Sequence, residues 1–282
     1  MKTLRRSLVL GIFCAGSAFC AAQLQISSPV EAGMEASLQA PGSGGTTLYL
    51  FGPGTAIKRA VERGTIKLRG DELKTAGHYA AIVDGNRASF FVSPAALDRI
   101  AFVAHPSRVS ANASGEMTGT AFLFDRFANL VPDSTAVRFR LALDGSPDED
   151  RNVTAKDGVA WVQMNSARRS GPAQFTVSSG SLQARRVVQQ VAADPCSIRM
   201  KAGRATDGNI QLETDAIRDC AGNAVPDGTI VTFTSVDAAG RSTVDARIKR
   251  GFARAELPPS TSATLTVAAG VVMGNEIHWE GR

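Results

Sequence analysis

The sequence is poor in the residue types that perform acid–base or nucleophilic chemistry. Its three histidines, His78, His105 and His278, are far apart along the chain. It contains neither a Gly-x-Ser-x-Gly nucleophile elbow nor a zinc-binding His-Glu-x-x-His segment. The one acidic cluster, Asp148-Glu149-Asp150, is more typical of a solvated loop than of a paired acid and base. We therefore predict no catalytic residues and no cofactor site. A hydrolase that uses carboxylates alone stays open as a minor alternative, because such pairs leave little local signature.

The cysteines predict one disulfide. Cys14 and Cys20 lie in the N-terminal segment described next, which leaves Cys196 and Cys220 in the remainder of the chain. Two cysteines in an exported protein favour a bond between them. The loop that they would close spans 220 − 196 = 24 positions, for which loop-closure entropy suggests about 3 kcal/mol of stabilisation. Free thiols are the alternative, and too few other ligands lie near them for a metal site.

The N-terminal segment has the layout of a secretory signal peptide. Lys2, Arg5 and Arg6 form a basic head, residues 7–19 are apolar or small, and Cys20-Ala21-Ala22 ends with small residues. This order of charged, apolar and small residues is read by the export machinery, and the apolar part is short for a membrane span. We expect cleavage after residue 22, no stable membrane insertion afterwards, and residence in the periplasm or at the cell exterior. An uncleaved anchor is the alternative.

The charge balance argues against nucleic acid as a partner. The whole chain has 31 Lys and Arg against 26 Asp and Glu. Three of the basic residues lie in the signal segment, so the mature chain carries 28 − 26 = +2. A field of this size over a chain of this length does not attract a polyanion.

Composition and alternation predict β structure throughout the mature chain. Gly 27 and Pro 12 supply turns, and charged residues make up only 20%. Runs such as Thr46–Phe51 and Val137–Leu141 have the β-branched, aromatic and alternating character of strands. Helical character is limited to one turn each within 54–62 and 94–99.

An internal repeat of about ninety residues is the strongest pattern in the sequence. Seven residues recur at the constant offset 219 − 125 = 94 with identical mutual spacing. The matched pairs are Asp125/Asp219, Asn129/Asn223, Val131/Val225, Pro132/Pro226, Asp133/Asp227, Val137/Val231 and Phe139/Phe233. Residues 173–177 also match 263–267. A repeat of this length, built from short strands and turns, has the size of one β-sandwich.

Each repeated residue type has an expected structural role. The turn and core positions are Asp125, Asn129, Pro132 and Phe139 in the first copy, and Asp219, Asn223, Pro226 and Phe233 in the second. The aspartate is expected to end a strand and to accept backbone N–H groups. The asparagine should take the left-handed conformation of the turn, the proline the first position of the next strand, and the phenylalanine the core. Calcium ligation would need more clustered carboxylates.

A further strand begins after Gly158 in the first copy and after Gly251 in the second, at an offset of 93. We expect its inward positions to include Val159, Trp161 and Phe252, because large apolar residues are usually buried.

The run from Asp219 to Thr234 carries a family resemblance. Its Asp-x-x-Gly-Asn-x-Val-x-x-Gly turn, followed by a Val-x-Phe strand, resembles the group-one bacterial Ig-like domain of invasin and intimin type. The Gly251/Ala253 and 263–267 strands continue the pattern, and the resemblance covers about 97–282. It implies Greek-key β-sandwiches that are strung together on bacterial surfaces for adhesion or spacing. It implies no catalytic residues.

The sequence thus predicts an all-β chain of three tandem immunoglobulin-like Greek-key β-sandwiches after a cleaved signal peptide. The predicted ranges are 1–22 for the signal and 23–94, 97–192 and 195–282 for the domains. In the first domain, the segment around Tyr79 resembles the corner where a tyrosine hydroxyl bonds to nearby backbone. The alternative there is a β-rich leader packed on the next domain. Residues 41–45, rich in glycine, are expected to connect the two strands of a hairpin.

Three functions remain open at this point. The first is a non-catalytic structural or adhesive protein of the bacterial envelope that binds a protein or a glycan. The second is a periplasmic accessory or chaperone-like subunit that pairs with a partner's strand, which an exposed and uncharged edge strand would favour. The third is the carboxylate hydrolase, which converging carboxylates in a concave pocket would favour.

Overall fold

A computed structural model describes residues 23–281, which are almost entirely β-strand. The predicted signal segment and its cleavage site lie outside the described residues. Within 23–281 there is no α-helix, and the only helical element is a 3-10 turn at Gly70–Glu72. The chain forms two compact units that divide after Ala95. The predicted all-β fold is confirmed.

The first unit is a six-stranded sheet in the order β1-β3-β5-β6-β2, with β4 paired to β3. All pairs are antiparallel except β2 with β6. Its strands are β1 (Gln25–Ile26), β2 (Val30–Glu31), β3 (Ala36–Gly52), β4 (Thr55–Leu68), β5 (Gly77–Val83) and β6 (Asn86–Ser93).

Two expectations for this unit are wrong. Of residues 54–62, expected to hold a helical turn, residues 55–62 lie in β4 and pair continuously with β3. The glycine-rich run 41–45 is not a hairpin connection; it lies inside β3, where the register shifts, and the turn is at Pro53-Gly54. The reason is a distant side chain. The Arg63 guanidinium donates to the carbonyls of residues 43–45 at 3.1–3.4 Å and is held by Asp84 at 2.8 Å.

The tyrosine corner is present as predicted. The Tyr79 ring is buried and stacks on Phe90 with ring centroids 5.6 Å apart. Its hydroxyl donates to the Thr75 carbonyl at 3.0 Å. Because a buried hydroxyl without a partner is costly, this bond fixes the chain where it turns into β5.

A buried carboxylate is the other polar anchor of the first unit. Glu72 is only 3% exposed. It accepts the backbone N–H of Arg69 at 2.9 Å and the side chain of Arg69 at 3.2 Å. Arg59 lies 3.3 Å away on the other side. Two guanidinium groups thus compensate one buried charge, which would be strongly destabilising without them.

The second unit contains two sandwiches, the second sandwich (β7–β14) and the third sandwich (β15–β21). Strands of the second sandwich are β7 (Leu97–His105), β8 (Arg108–Ser110), β9 (Met117–Asp125), β10 (Ala136–Ala142), β11 (Glu149–Thr154), β12 (Val159–Met164), β13 (Gly171–Ser179) and β14 (Leu182–Val191). The sheets are ordered β11-β10-β13-β14-β8 and β12-β9-β7. Residues 97–99, expected in a helical turn, belong to β7 because they pair with β9.

The third sandwich repeats this arrangement with fewer strands. These are β15 (Met200–Arg204), β16 (Ile210–Thr214), β17 (Ile230–Asp237), β18 (Gly240–Arg247), β19 (Arg254–Leu257), β20 (Ser262–Ala269) and β21 (Val272–Glu280). The sheets are ordered β15-β16-β19 and β18-β17-β20-β21. We propose the predicted boundaries 97–192 and 195–282 for the two sandwiches, since each encloses its own apolar cluster.

The two cores are built on the repeated phenylalanine. Phe139 is fully buried in the second sandwich beside Phe102 and Phe175, whose rings meet edge to face at 5.1 Å. Phe233 is fully buried at the same place in the third sandwich. Edge-to-face contact aligns the positive rim of one ring with the negative face of the other.

The expected position of the repeated prolines is wrong. Pro132 and Pro226 lie outside the strands, since β10 and β17 begin only at Ala136 and Ile230. The N–H of Val131, just before Pro132, donates back to β9 at the Leu123 carbonyl. The chain therefore remains bonded to the sheet of β9 as far as Val131, and the segment that contains Pro132 crosses to the opposite sheet.

The Tyr79 hydroxyl gives the first testable prediction. Replacing Tyr79 with Phe should lower the unfolding free energy of the first unit by about 1 kcal/mol, because the Thr75 carbonyl loses its donor. Hydrogen exchange of peptides from residues 77–93 measures this change, since both tryptophans lie outside the first unit. Tyr49→Phe is the matched control, at a half-exposed ring. Equal protection in the two variants would contradict the assignment.

Candidate functional site

The repeated aspartate organises the turn after β9. One carboxylate oxygen of Asp125 accepts the backbone N–H groups of Phe127 and Asn129, both at 2.8 Å. Its other oxygen accepts the side-chain amide of Asn129 at 2.8 Å. The left-handed residue is Ala128, with φ of 68°. The expectation that the asparagine takes this conformation is therefore wrong, because Asn129 instead supplies a side-chain donor to the carboxylate.

The turn of the third sandwich has the same bonds. Asp219 accepts the N–H of Ala221 at 2.9 Å and that of Asn223 at 2.8 Å. The Asn223 amide donates to the second carboxylate oxygen at 2.9 Å. Gly222, with φ of 89°, takes the left-handed position, where a glycine is unstrained.

This second turn also holds the preceding sandwich. The Asn223 amide donates to the Arg168 carbonyl at 2.7 Å, and its oxygen accepts the Ser170 N–H at 2.9 Å. Asp219 accepts the N–H of Ala193, in the linker, at 3.1 Å. We call Asp219 and Asn223, with these three partners, the junction clamp. It connects the loop before β13 and the linker after β14 to the third sandwich.

Hydrogen bonding keeps the clamp carboxylate ionised. Burial raises the pKa of Asp219, but the hydrogen bonds from Asn223, Ala193 and Ala221 outweigh burial and hold the pKa below its ordinary value. Several N–H donors converging on one carboxylate favour its charged form.

The predicted disulfide between Cys196 and Cys220 is confirmed, with Cα atoms 4.7 Å apart. Cys220 directly follows the clamp residue Asp219, and Cys196 begins the third sandwich after the linker. The Cys196 N–H also donates to the Arg218 carbonyl at 2.9 Å. The disulfide therefore ties the end of the linker to the turn that forms the clamp.

The acidic cluster is engaged in ion pairs on a strand pair. Asp150 pairs with Arg138 at 2.8 Å, and Asp148 pairs with Arg140. Glu149 pairs with Arg151 at 3.0 Å. Glu149 and Asp150 themselves lie in strand β11, and their arginine partners lie on β10 and β11. The expectation that the cluster forms a loop is therefore wrong for these two residues. A cleft of about 440 Å³ lies beside Asp148 and Glu149, but arginines already hold both carboxylates.

The histidines are not brought together. His78, His105 and His278 lie on β5, β7 and β21, in three different sheets. Residues 23–281 contain no group of three or more side chains that could hold a metal ion. No helix in that range is long and apolar enough to cross a membrane.

Sequence reasoning missed the outer face of the sheet β12-β9-β7. Trp161, expected in the core, is 62% exposed, because Ala160, Val162 and Met164 are the inward residues of β12. Cross-strand pairing places Trp161, Thr120 and Val103 in one row. The next row contains Val159, Phe122 and Ala101. We call these two rows the aromatic face.

The third sandwich carries charges at the same place. Its sheet β15-β16-β19 pairs Lys201, Glu213 and Arg254 in the row that corresponds to Val103, Thr120 and Trp161. Arg254 bonds Glu213 at 2.8 Å. The offset 254 − 161 = 93 is that of the flanking glycines, 251 − 158 = 93. The signal for an outward Trp161 was thus present in the repeat, since its counterpart is an arginine.

Comparison with solved structures places the chain among tandem Ig-like proteins by fold. FdeC, a broadly conserved Escherichia coli adhesin, is 12% identical, with a TM-score of 0.58 over 91% of this chain and 96% of the other. InvD of Yersinia pseudotuberculosis is 14% identical, with a TM-score of 0.52 over the same shares. The resemblance to the bacterial Ig-like proteins of invasin type therefore holds for the fold. No protein-family model and no curated protein match the sequence.

The disulfide should stabilise the third sandwich selectively. Reduction is expected to lower its unfolding free energy by about 3 kcal/mol, because the open loop gains entropy in the unfolded chain. Urea unfolding followed by Trp279 fluorescence, in a Trp161→Phe background, measures this with and without reductant. The double variant Cys196→Ser with Cys220→Ser should not respond to the reductant. Equal midpoints for the parent chain in the two conditions would contradict the prediction.

Asp219 should make the stability of the third sandwich depend on pH. Its folded pKa is lowered, so its contribution is full above the pKa of the unfolded chain and is lost as pH falls through the folded pKa. Asp219→Asn should cost about 2 kcal/mol at neutral pH and flatten the acid limb of the stability curve. The exposed Asp227→Asn in the same sandwich is the control. An unchanged acid limb in Asp219→Asn would show that the clamp carboxylate is not responsible.

Proposed function

We propose that the chain is a non-catalytic, exported Ig-like protein with an adhesive or spacing role in the bacterial envelope, in the periplasm or at the cell exterior. The observation that carries this proposal is the junction clamp. A turn that also bonds the preceding sandwich serves to hold consecutive domains in a fixed relation, which an extended binding protein requires. The fold shared with the adhesin FdeC supports the same role.

The clamp supports a limited bend between the second and third sandwiches. Asn223 alone makes two bonds to the loop at Arg168 and Ser170. Asp219 adds a bond to the linker at Ala193, and the Cys196–Cys220 bond restrains the other end of the linker. Interfaces within a chain usually permit relative motion unless they are large. Charge-assisted and covalent restraints at the linker itself reduce this motion without a large interface.

The aromatic face is the surface best suited to a protein or glycan partner. It combines an exposed tryptophan with apolar neighbours, and Trp is among the residues that contribute most at binding hot spots. In the third sandwich the corresponding row is charged and consists of Lys201, Glu213 and Arg254. The fold therefore does not require apolar residues at these positions. The small net charge of the mature chain does not favour nucleic acid.

The accessory-subunit alternative also has a specific observation in its favour. Strand β12 is an edge strand without a charged residue, which is the feature that strand pairing with a partner needs. The carboxylate hydrolase gains no support from the acidic cluster, because Asp148, Glu149 and Asp150 are held in ion pairs.

A binding assay tests the proposed role of the aromatic face. Purified chain 23–282 is captured on a sensor and exposed to the native envelope fraction and to a panel of glycans. Val103→Lys, which installs the lysine that the third sandwich carries, should weaken any saturable binding about tenfold, because it buries a charge at the interface. Val187→Lys, at a valine of similar exposure on the other sheet, should leave it unchanged. Equal loss in both variants, or no saturable binding by folded protein, would contradict the proposal.

A further inference from the structure

Strand β12 differs from the other sheet edges of the described chain. It is the outer strand of the sheet β12-β9-β7, and its sequence Val-Ala-Trp-Val-Gln-Met has no charge and no proline. Among residues 23–281, every other edge strand of three or more residues carries Asp, Glu, Lys or Arg; these strands are β4, β7, β8, β11, β15, β18, β19 and β21. Charges on edges normally prevent pairing with another chain. Strand β12 lacks this protection.

The hydrogen-bond register defines how much of β12 is open. The Gly158 carbonyl accepts the Leu123 N–H at 2.8 Å, so Gly158 belongs to a hydrogen-bonded pair with β9. Bonded and non-bonded pairs alternate in an antiparallel ladder. The backbone groups of Ala160 and Val162 therefore also point towards β9. Those of Trp161 and Gln163 point to the open side of the sheet.

The chain itself satisfies this edge at both ends. Val159 exchanges backbone bonds with Lys156 at 2.9 and 3.0 Å. The N–H of Asn165 donates to the Glu149 carboxylate at 3.1 Å. Between them, the N–H and C=O groups of Trp161 and Gln163 have no protein partner within the described chain. The open edge is thus a window of three residues, 161–163.

We propose that this window pairs with the same window of a second copy of the chain, antiparallel and about a two-fold axis at Val162. In that register Trp161 of one copy faces Gln163 of the other, and both residues use their N–H and C=O groups. All four open backbone groups on each strand are satisfied. The two three-stranded sheets become one six-stranded sheet, and the contact is isologous, as most homodimer contacts are.

Charge at the window agrees with self-pairing. No charged side chain of β12 meets its own copy, which would be destabilising. At the ends, the same register sets Val159 of one copy opposite Asn165 of the other, so that Lys156, which bonds Val159, approaches the oppositely charged Glu149, which bonds Asn165. A partner with a charged strand would gain nothing from the neutral residues of β12.

The repeat indicates that the open edge is particular to the second sandwich. At the position of Trp161, the third sandwich has Arg254, which Glu213 holds across the strand pair. The same fold therefore accepts a charged residue at this edge position, where a charge opposes pairing with another chain. A tryptophan that is 62% exposed takes its place in the second sandwich, where pairing would cover the ring and the apolar row behind it.

Sedimentation equilibrium of chain 23–282 tests the proposal. The chain should show a reversible monomer–dimer equilibrium between about 1 µM and 1 mM, the range expected for a small contact. Trp161→Lys should raise the dissociation constant at least about tenfold, because two like charges meet at the window. Gln163→Pro should act similarly by removing the outward N–H, which β9 does not use. Val187→Lys, on the other sheet, should leave the constant unchanged.

The outcomes separate the possible occupants. A monomer throughout this range would overturn the proposal, and so would a dimer whose constant is the same in Trp161→Lys, Gln163→Pro and the parent chain. A monomer that instead binds a foreign protein through Trp161 would overturn self-pairing and support the accessory-subunit function. Circular dichroism and thermal unfolding confirm that each variant is folded. Trp161 fluorescence in a Trp279→Phe background should shift to the blue as the dimer forms.

Discussion

One carboxylate, that of Asp219, connects three levels of the structure. It closes its own turn through backbone N–H groups, orients the Asn223 amide and holds the linker at Ala193. Because Asn223 is fixed in this way, its remaining donor and acceptor point at the preceding sandwich. The turn of one domain is thus bonded directly to the domain before it. The disulfide at the neighbouring Cys220 protects the same turn.

The repeat made the fold and the turn predictable, because identical residues at constant spacing need identical surroundings. The residues that this turn contacts in the preceding sandwich were not predictable. Arg168 and Ser170 lie more than fifty positions before Asn223, and they contribute backbone groups that any residue has. The glycine run 41–45 was misassigned for a similar reason, because Arg63 holds it from the opposite strand. Local pattern determines strands and turns, whereas long-range polar contacts decide where a strand bends.

Trp161 shows a different limit. Alternation along a strand gives two faces, and an error of one position exchanges them. A large aromatic residue suggested the inward face, whereas the small Ala160 occupies it. The repeat shows which face Trp161 occupies. Its counterpart in the third sandwich is Arg254, and an arginine cannot be buried in the core without a partner. Comparing the two copies face by face therefore separates residues that the fold needs from residues that are available for binding.

The central claim is that the junction clamp holds the second and third sandwiches in one fixed relation. Residual dipolar couplings of the oxidised chain, measured separately for residues 97–192 and 195–281, test this most directly. The account predicts that one alignment tensor fits both sets, and that Asn223→Ala, which removes the contacts to Arg168 and Ser170, makes the two tensors diverge. Asn209→Ala, at a half-buried residue of the third sandwich whose side-chain amide bonds only the nearby Asp207, should not do so. Two different tensors in the parent chain would contradict the claim.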